Sequence, residues 1–178
     1  MINRYVALLR GINVGGNNVI KMIDLKACFE AMGFTRVVTY IQSGNVLFDS
    51  DNSHSSEVAS MIENRLSETF GYQSKIALIL QSELKEIIAN APDGFGTAPD
   101  DYRYDVIFLR KPLAALETLS AIKTREGVDF VTAGQGVLYF SRLSSKSSQS
   151  QMSKMMGTPV YREMTIRNWN TTTKLAGL

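Results

Sequence analysis

With 178 residues, 44% of them hydrophobic and 20% charged, the chain has the size and composition of one globular domain or two small ones, and its formal net charge is only +2. No apolar run approaches the roughly 18 to 20 residues that cross a bilayer, which excludes a membrane-spanning helix and predicts no membrane partner. The single cysteine, Cys28, excludes an internal disulfide and a cysteine-rich metal site; with an N-terminus that passes directly into a strand-like run, it predicts a cytoplasmic protein.

The first element in chain order is the apolar run Tyr5-Val6-Ala7-Leu8-Leu9, read as a buried strand. It leads into the glycine-rich stretch Leu9-Arg10-Gly11-Ile12-Asn13-Val14-Gly15-Gly16-Asn17-Asn18. Ile23, Leu25, Cys28, Phe29 and Met32 then recur at helical spacing, with Asp24 in the first turn and Gly33 as the stop. Ser43-Gly44-Asn45-Val46-Leu47-Phe48 joins two β-rich runs through a tight turn. A helix over 57–70 follows, striped by Val58, Met61, Ile62, Leu66 and Phe70 and closed by Gly71, and then a strand over 75–80. This β-α-β-β-α-β order predicts a ferredoxin-like half with an α+β sheet and its helices on one side.

An extra helix over 83–90 ends before Pro92, and residues 92–101, rich in Pro, Gly and Asp, read as a linker. The second half repeats the pattern. Arg103-Tyr104-Asp105-Val106-Ile107-Phe108-Leu109-Arg110 echoes Arg4-Tyr5-Val6-Ala7-Leu8-Leu9-Arg10, and Gly134-Gln135-Gly136-Val137-Leu138-Tyr139-Phe140 echoes the first hairpin. Helices are predicted near 113–122 and 146–156, a hairpin over 128–141, an extended run near 160–164 and a final helix over 166–176. The expected architecture is thus two ferredoxin-like halves related by internal duplication, 1–91 and 102–178, each followed by an extra helix. Strands apolar on both alternating faces predict a sheet covered on both sides, unlike an RNA-recognition motif, whose exposed aromatics stack on bases.

Charge is unevenly spread. Residues 1–49 carry five basic against three acidic side chains, 50–140 eight against thirteen, and 141–178 six against one. Basic ends favour phosphates or carboxylates as partners. The glycine loop lacks the Lys-[Ser/Thr] of a Walker motif, which is replaced by Asn17-Asn18, and also lacks the Rossmann spacing. What it offers is backbone N–H groups with Arg10, Gly11, Asn13, Gly15, Gly16 and Lys21 as candidate contacts, or simply a demanding turn. His54 lies in a polar run before a helix and Cys28 among core positions, so neither reads as a nucleophile or base, and no metal-ligand spacing or cofactor motif is present.

Late in the chain, Arg167, Asn170, Thr171 and Lys174 form a polar stripe on the predicted last helix, with Ile166, Trp169, Thr173 and Ala176 on another. Trp169 reads as a core anchor or as a stacking platform. The serine-rich run 141–153 around Lys146 reads as a loop or as a helix start that favours an anion.

Leu9–Gly16, Lys21-Met22, Thr39-Tyr40-Ile41-Gln42-Ser43-Gly44-Asn45-Val46 and the late Arg167-Asn168-Trp169 with Lys174-Leu175 together resemble a bacterial conserved-hypothetical family, the domain of unknown function numbered sixteen-ninety-seven. Ser145-Lys146 matches a further family position by its spacing to Gly157, without the glycines that usually precede it. The resemblance implies two ferredoxin-like halves and no established activity. It also implies that the glycine loop, Ser43 and Asn45 in the hairpin turn, and the segment with Arg167, Asn168, Trp169 and Lys174 belong to one site, joined by Lys146. Three functions fit this reading. The first is binding of a phosphate-bearing small molecule or nucleic acid at a composite basic site. The second is an enzyme acting on a small anion there, with Asp24 or Glu163 as base. The third is an interaction module whose motifs hold the halves together.

Overall fold

In the computed structural model, which describes residues 2–178, the first sheet is built from β1 (Asn3–Leu9), β2 (Thr35–Tyr40), β3 (Asn45–Ser50) and β4 (Ile76–Leu80). Its order is β2-β3-β1-β4 with every neighbouring pair antiparallel, the arrangement a β-α-β-β-α-β chain reaches when each helix carries it past a strand. The helices are α1 (Met22–Ala31) and α2 (Ser55–Phe70). On α2, Val58, Ile62 and Leu66 are buried at four-residue intervals, and Gly71 closes the helix in the left-handed conformation. On α1, Leu25, Cys28 and Phe29 are buried, whereas Ile23, expected on the same stripe, is exposed.

These faces meet Tyr5, Ala7, Leu9, Val46 and Phe48 in one core. Phe29 and Phe34 pack on Phe48 with ring centroids 5.3 and 4.2 Å away. Each buried ring of this kind contributes roughly 1.5–3 kcal/mol. Cys28 belongs to this core, as its sequence context predicts.

The chain divides into two compact units: residues up to Leu84 with Leu175–Leu178, and Lys85–Lys174. The boundary falls within α3 (Gln81–Ala89), which follows β4 without an intervening loop, two residues earlier than predicted. The second sheet contains β5 (Tyr102–Leu109), β6 (Asp129–Ala133), β7 (Val137–Leu143) and β8 (Met164–Asn168) in the order β6-β7-β5-β8, the same topology again. Its core holds Ile107, Leu138, Phe140, Met152, Met155 and Met164. Equivalent bonds recur in each unit. Leu9 N–H donates to the Gly44 carbonyl at 2.8 Å and Leu109 N–H to that of Gly136 at 3.1 Å; Arg10 N–H donates to Lys75 and Arg110 N–H to Glu163, at 3.1 and 3.0 Å. The fold is therefore α+β, two ferredoxin-like halves of duplicated plan, each with an extra helix.

Four predicted elements of the second half differ in the structure. The helix near 113–122 is the shorter α4 (Ala115–Ala121). The helix predicted over 146–156 is a run of 3-10 turns, Ser144–Gln149 and Met152–Met155, with a third at Val160–Glu163 where an extended run was expected. Serines offer the backbone competing bonds, as where Ser150 Oγ accepts Met152 N–H at 3.2 Å, and only Met152 and Met155 anchor the segment in the core. Finally, Ile166, Arg167 and Asn168 lie on β8, and the last helix, α5 (Trp169–Ala176), starts only at Trp169. β-branched Thr165 and Ile166 favour the strand, and Asn168 Oδ1 accepts Thr171 N–H at 2.8 Å as the cap that starts the helix.

Both faces of the central strands are buried, Val6, Leu8, Leu47 and Val106 completely. The expected cover is incomplete at the start of β5, where Tyr102 and Tyr104 are half-buried and Phe130 of β6 is exposed. On the opposite face, strand alternation places Arg103, Asp105 and Arg142 on the side of Ile107 and Phe140. Burial holds the Asp105 carboxyl above its usual range, while Arg142 and Arg103 pull it partly back. A carboxyl with a higher pKa in the folded chain adds nothing at acid pH and destabilises increasingly as pH rises through the unfolded value of about 4 toward the folded one. Asp105→Asn is therefore expected to raise the urea midpoint at pH 7 and change it little at pH 3. An equal fall at both pH values would show that the arginine contacts outweigh burial.

Candidate functional site

The glycine loop is a small hairpin. Asn13 N–H donates to the Asn18 carbonyl at 3.1 Å and Asn17 N–H to that of Val14 at 3.0 Å. Gly15 and Gly16 lie between them with φ of 58° and 78°, the pair of positive values that a two-residue type I′ turn demands. Added Cβ atoms would meet nothing closer than the Asn17 side chain at 4.0 Å, so these glycines serve the backbone conformation and leave the tip open to solvent. The base of the hairpin is bonded internally. Asn18 Nδ2 donates to the Gly11 carbonyl at 2.8 Å. Asn13, itself at φ 53°, donates through Nδ2 to the carbonyls of Ile20 and Gln42 and accepts Ile20 N–H at Oδ1, between 2.8 and 3.0 Å. Asn13 thus ties the hairpin to the β2-β3 turn and fixes the chain entering α1.

Lys21 comes next, exposed, in extended conformation at the N-cap position of α1, where it provides no side-chain cap. The amides of Met22, Ile23 and Asp24 precede the first intrahelical bond, from Leu25 N–H to the Lys21 carbonyl at 3.0 Å. A cation is an unusual choice there. N-caps are normally Ser, Thr, Asp or Asn, and the positive end of the helix dipole disfavours lysine by about 0.3–1 kcal/mol unless an anion offsets it. Arg10 is half-buried at the start of the loop, and Asp24 is exposed in the first turn.

The β2-β3 turn carries two predicted site residues with different roles. Ser43 is exposed, whereas Asn45 is completely buried and donates to the Tyr40 carbonyl at 2.9 Å and to Ser43 Oγ at 3.1 Å. Gly44 between them packs directly on Ile12 and Leu9. Asn45 holds the turn that Asn13 grips from the other side.

In the second unit, Arg167 is 8% exposed on β8, donates to the Ile166 carbonyl at 2.9 Å, and burial pushes its guanidinium down to about 10, so it stays charged at neutral pH. Asn168 caps α5. Trp169 is half-buried, its ring 5.1 Å from that of Phe95 and nearly perpendicular, with Gly96 beneath the indole where any side chain would collide. These contacts favour the anchor reading of Trp169. Lys174 is exposed in the last turn of α5, and Lys146 is exposed in the first 3-10 turn, in a non-helical conformation. Residues 92–101 lie in this second unit, Phe95 packing against Tyr104 and Tyr139 as well.

Of the residues weighed as bases, Asp24 is exposed and Glu163 pairs with Arg110 at 3.5 Å. His54 is exposed at the N-cap of α2. Among the described residues, no group of three or more His, Cys, Asp or Glu side chains could hold a metal ion, and no helix is long and apolar enough to cross a membrane. Reading the sequence for a ligand site missed the polar staples that the structure reveals. Asp49 is 4% exposed and receives Arg4 at 3.0 Å and Arg36 at 3.2 Å; Asp129 accepts the amides of Arg125 and Gln151. Their one available signal is a lone acid near the end of a largely apolar strand.

No curated protein matches the chain. Its fold is similar to that of a conserved bacterial protein, SP0830 from Streptococcus pneumoniae, with a TM-score of 0.85 and 24% identity over 99% of this chain and 98% of that one. The model of a family described as protein of unknown function, DUF1697, matches residues 2–139, which span the glycine hairpin, the Ser43-Gly44-Asn45 turn, β5, β6 and the start of β7. The chain belongs to the DUF1697 family.

Proposed function

We propose that the protein binds a phosphate-bearing ligand, a nucleotide or nucleic acid, where the glycine hairpin meets the start of α1. The observation that carries this reading is a difference between the two halves. In the second, residues 110–114 suffice to connect β5 to α4; in the first, the equivalent connection from β1 to α1 is the internally bonded hairpin of residues 10–21. The fold does not need the longer connection. What it adds is an exposed tip of Gly15 and Gly16 amides and an exposed Lys21 beside the α1 N-terminus, which like that of α4 has no side-chain cap; these are elements that phosphate recognition uses. Gly11 and Arg10 line the approach from β1. Asn13 positions this arrangement instead of touching the ligand, because its amide is committed to Ile20 and Gln42.

Binding is tested by titrating ADP and a short labelled oligonucleotide at two salt concentrations. The expected result is saturable binding that weakens as salt rises and falls about tenfold or more in Lys21→Glu, since charge reversal at a helix N-terminus both removes a cation and repels the phosphate. Unchanged affinity in Lys21→Glu, or no binding of either probe, overturns the reading.

A further inference from the structure

A second concave surface lies wholly in the second unit and plays no part in the phosphate reading. It is a groove of about 240 Å³ on the sheet face opposite the core, open to solvent, between β5, β6 and β7 and the segment around Phe95. Strand alternation builds it: Tyr102 and Tyr104 on β5, Phe130 and Thr132 on β6, and Tyr139 and Ser141 on β7 all point to this face. Three ring pairs stand at steep angles, while Tyr102 and Tyr104, 6.1 Å apart, are inclined by 39°. Phe95 is tilted 67° to Tyr104 at 4.9 Å and 71° to Tyr139 at 5.5 Å; Tyr102 is tilted 69° to Phe130 at 6.1 Å.

We propose that this groove binds an organic ammonium ion, a quaternary or methylated amine. Three observations lead there. First, rings meeting at steep angles form walls around a compact group, whereas a stacked nucleobase needs parallel faces. Second, the charge on the groove is of one sign. Asp93 lines it, with Thr132 and Ser141, and no Lys, Arg or His does. The nearest strand arginines, Arg103 and Arg142, are turned by alternation to the opposite face beside Asp105. A phosphate would find no cationic side chain in this lining, while a cation finds aromatic rings and an acidic residue. Third, the volume is below the roughly 300–1,000 Å³ typical of drug-sized ligands, so the occupant is a small head group.

The Tyr139 hydroxyl donates to the Ile87 carbonyl and Ala98 N–H donates to the Tyr104 hydroxyl at 3.4 Å. Their rings are therefore held in place before any ligand arrives, and Tyr102 and exposed Phe130 complete the outer wall.

The test is calorimetric titration of the whole chain with choline, with 3,3-dimethylbutan-1-ol as its neutral isostere, and with adenosine. Choline is expected to bind saturably and at least about fivefold more tightly than the isostere, the difference reporting the attraction between cation and ring faces. Asp93→Asn, at an exposed position, should weaken choline and leave the isostere unchanged. Tyr102→Leu should abolish choline binding and Tyr102→Phe retain it, with circular dichroism confirming that both fold. The proposal is overturned by any one of four results: no choline binding, an isostere bound as tightly, adenosine bound in preference, or an unaltered Tyr102→Leu.

Discussion

Gly44→Ala is expected to destabilise the protein by about 3 kcal/mol, a large share of the roughly 5–15 kcal/mol that holds a domain together. Two costs add. Gly44 has φ of +80°, where an L side chain costs roughly 1–2 kcal/mol. A Cβ there would also lie 2.5 Å from Ile12 Cδ1 and 2.9 Å from Leu9 Cβ, an overpacking that typically costs about 1–3 kcal/mol. The control is Gly11→Ala, with φ of +71° but nothing within 4 Å of the added Cβ. It should lose only the conformational part, about 1–2 kcal/mol. Urea unfolding of both variants separates the costs, and equal losses would mean that the contact with Ile12 relaxes freely. The hydrogen bond from Leu9 N–H and the packing of Ile12 make Gly44 the point where the hairpin of residues 10–21 seats on the sheet.

The elements most legible in the sequence are those whose own residues decide their structure. α2 carries a stripe of Val58, Ile62 and Leu66 and a glycine stop, so period and punctuation agree. β1 and β5 are runs of apolar residues recognisable as copies, and a copy carries its topology with it. Legibility fails where local preference is weak and tertiary contacts choose. Around Lys146 the serines support no regular helix, and Met152 and Met155 three residues apart satisfy the core with a single 3-10 turn. At the last helix, apolar period alone runs from Ile166 to Ala176, and the cap at Asn168, with β-branched Thr165 and Ile166 before it, distinguishes strand from helix.

The candidate site divides along similar lines. Gly15, Gly16 and Lys21 are exposed in the structure. Asn13, Asn45 and Asn168 look alike in sequence, asparagines inside the motif segments, yet each bonds backbone groups that the fold would otherwise leave unsatisfied. A polar side chain in a motif does not reveal whether its partner is a ligand or a carbonyl of its own chain; that requires the partner's position. The aromatic groove was hidden for a different reason. Tyr102, Tyr104, Phe130 and Tyr139 come from three strands and become neighbours only through the register of β5, β6 and β7.

Asp49→Ala is expected to cost about 3–5 kcal/mol, the range for removing one partner of a buried ion pair. Asp49 is 4% exposed on β3, and its carboxylate receives Arg4 from β1 at 3.0 Å and Arg36 from β2 at 3.2 Å, joining three adjacent strands. The two arginines are not equivalent. Arg36 is 73% exposed and can return to water, so its share is small; Arg4 is 16% exposed and would be left with the Arg36 carbonyl, at 2.7 Å, as its remaining partner here. The larger part of the loss should therefore come from stranding Arg4. This identifies the decisive comparison. Replacing both members, Arg4→Met with Asp49→Leu, removes the pair without leaving a charge behind and should recover much of the stability lost in Asp49→Ala. Arg36→Ala alone should cost about 0–1 kcal/mol. If the double variant instead unfolds at lower urea than Asp49→Ala, the carboxylate contributes through the strand geometry it enforces, not through charge pairing with Arg4.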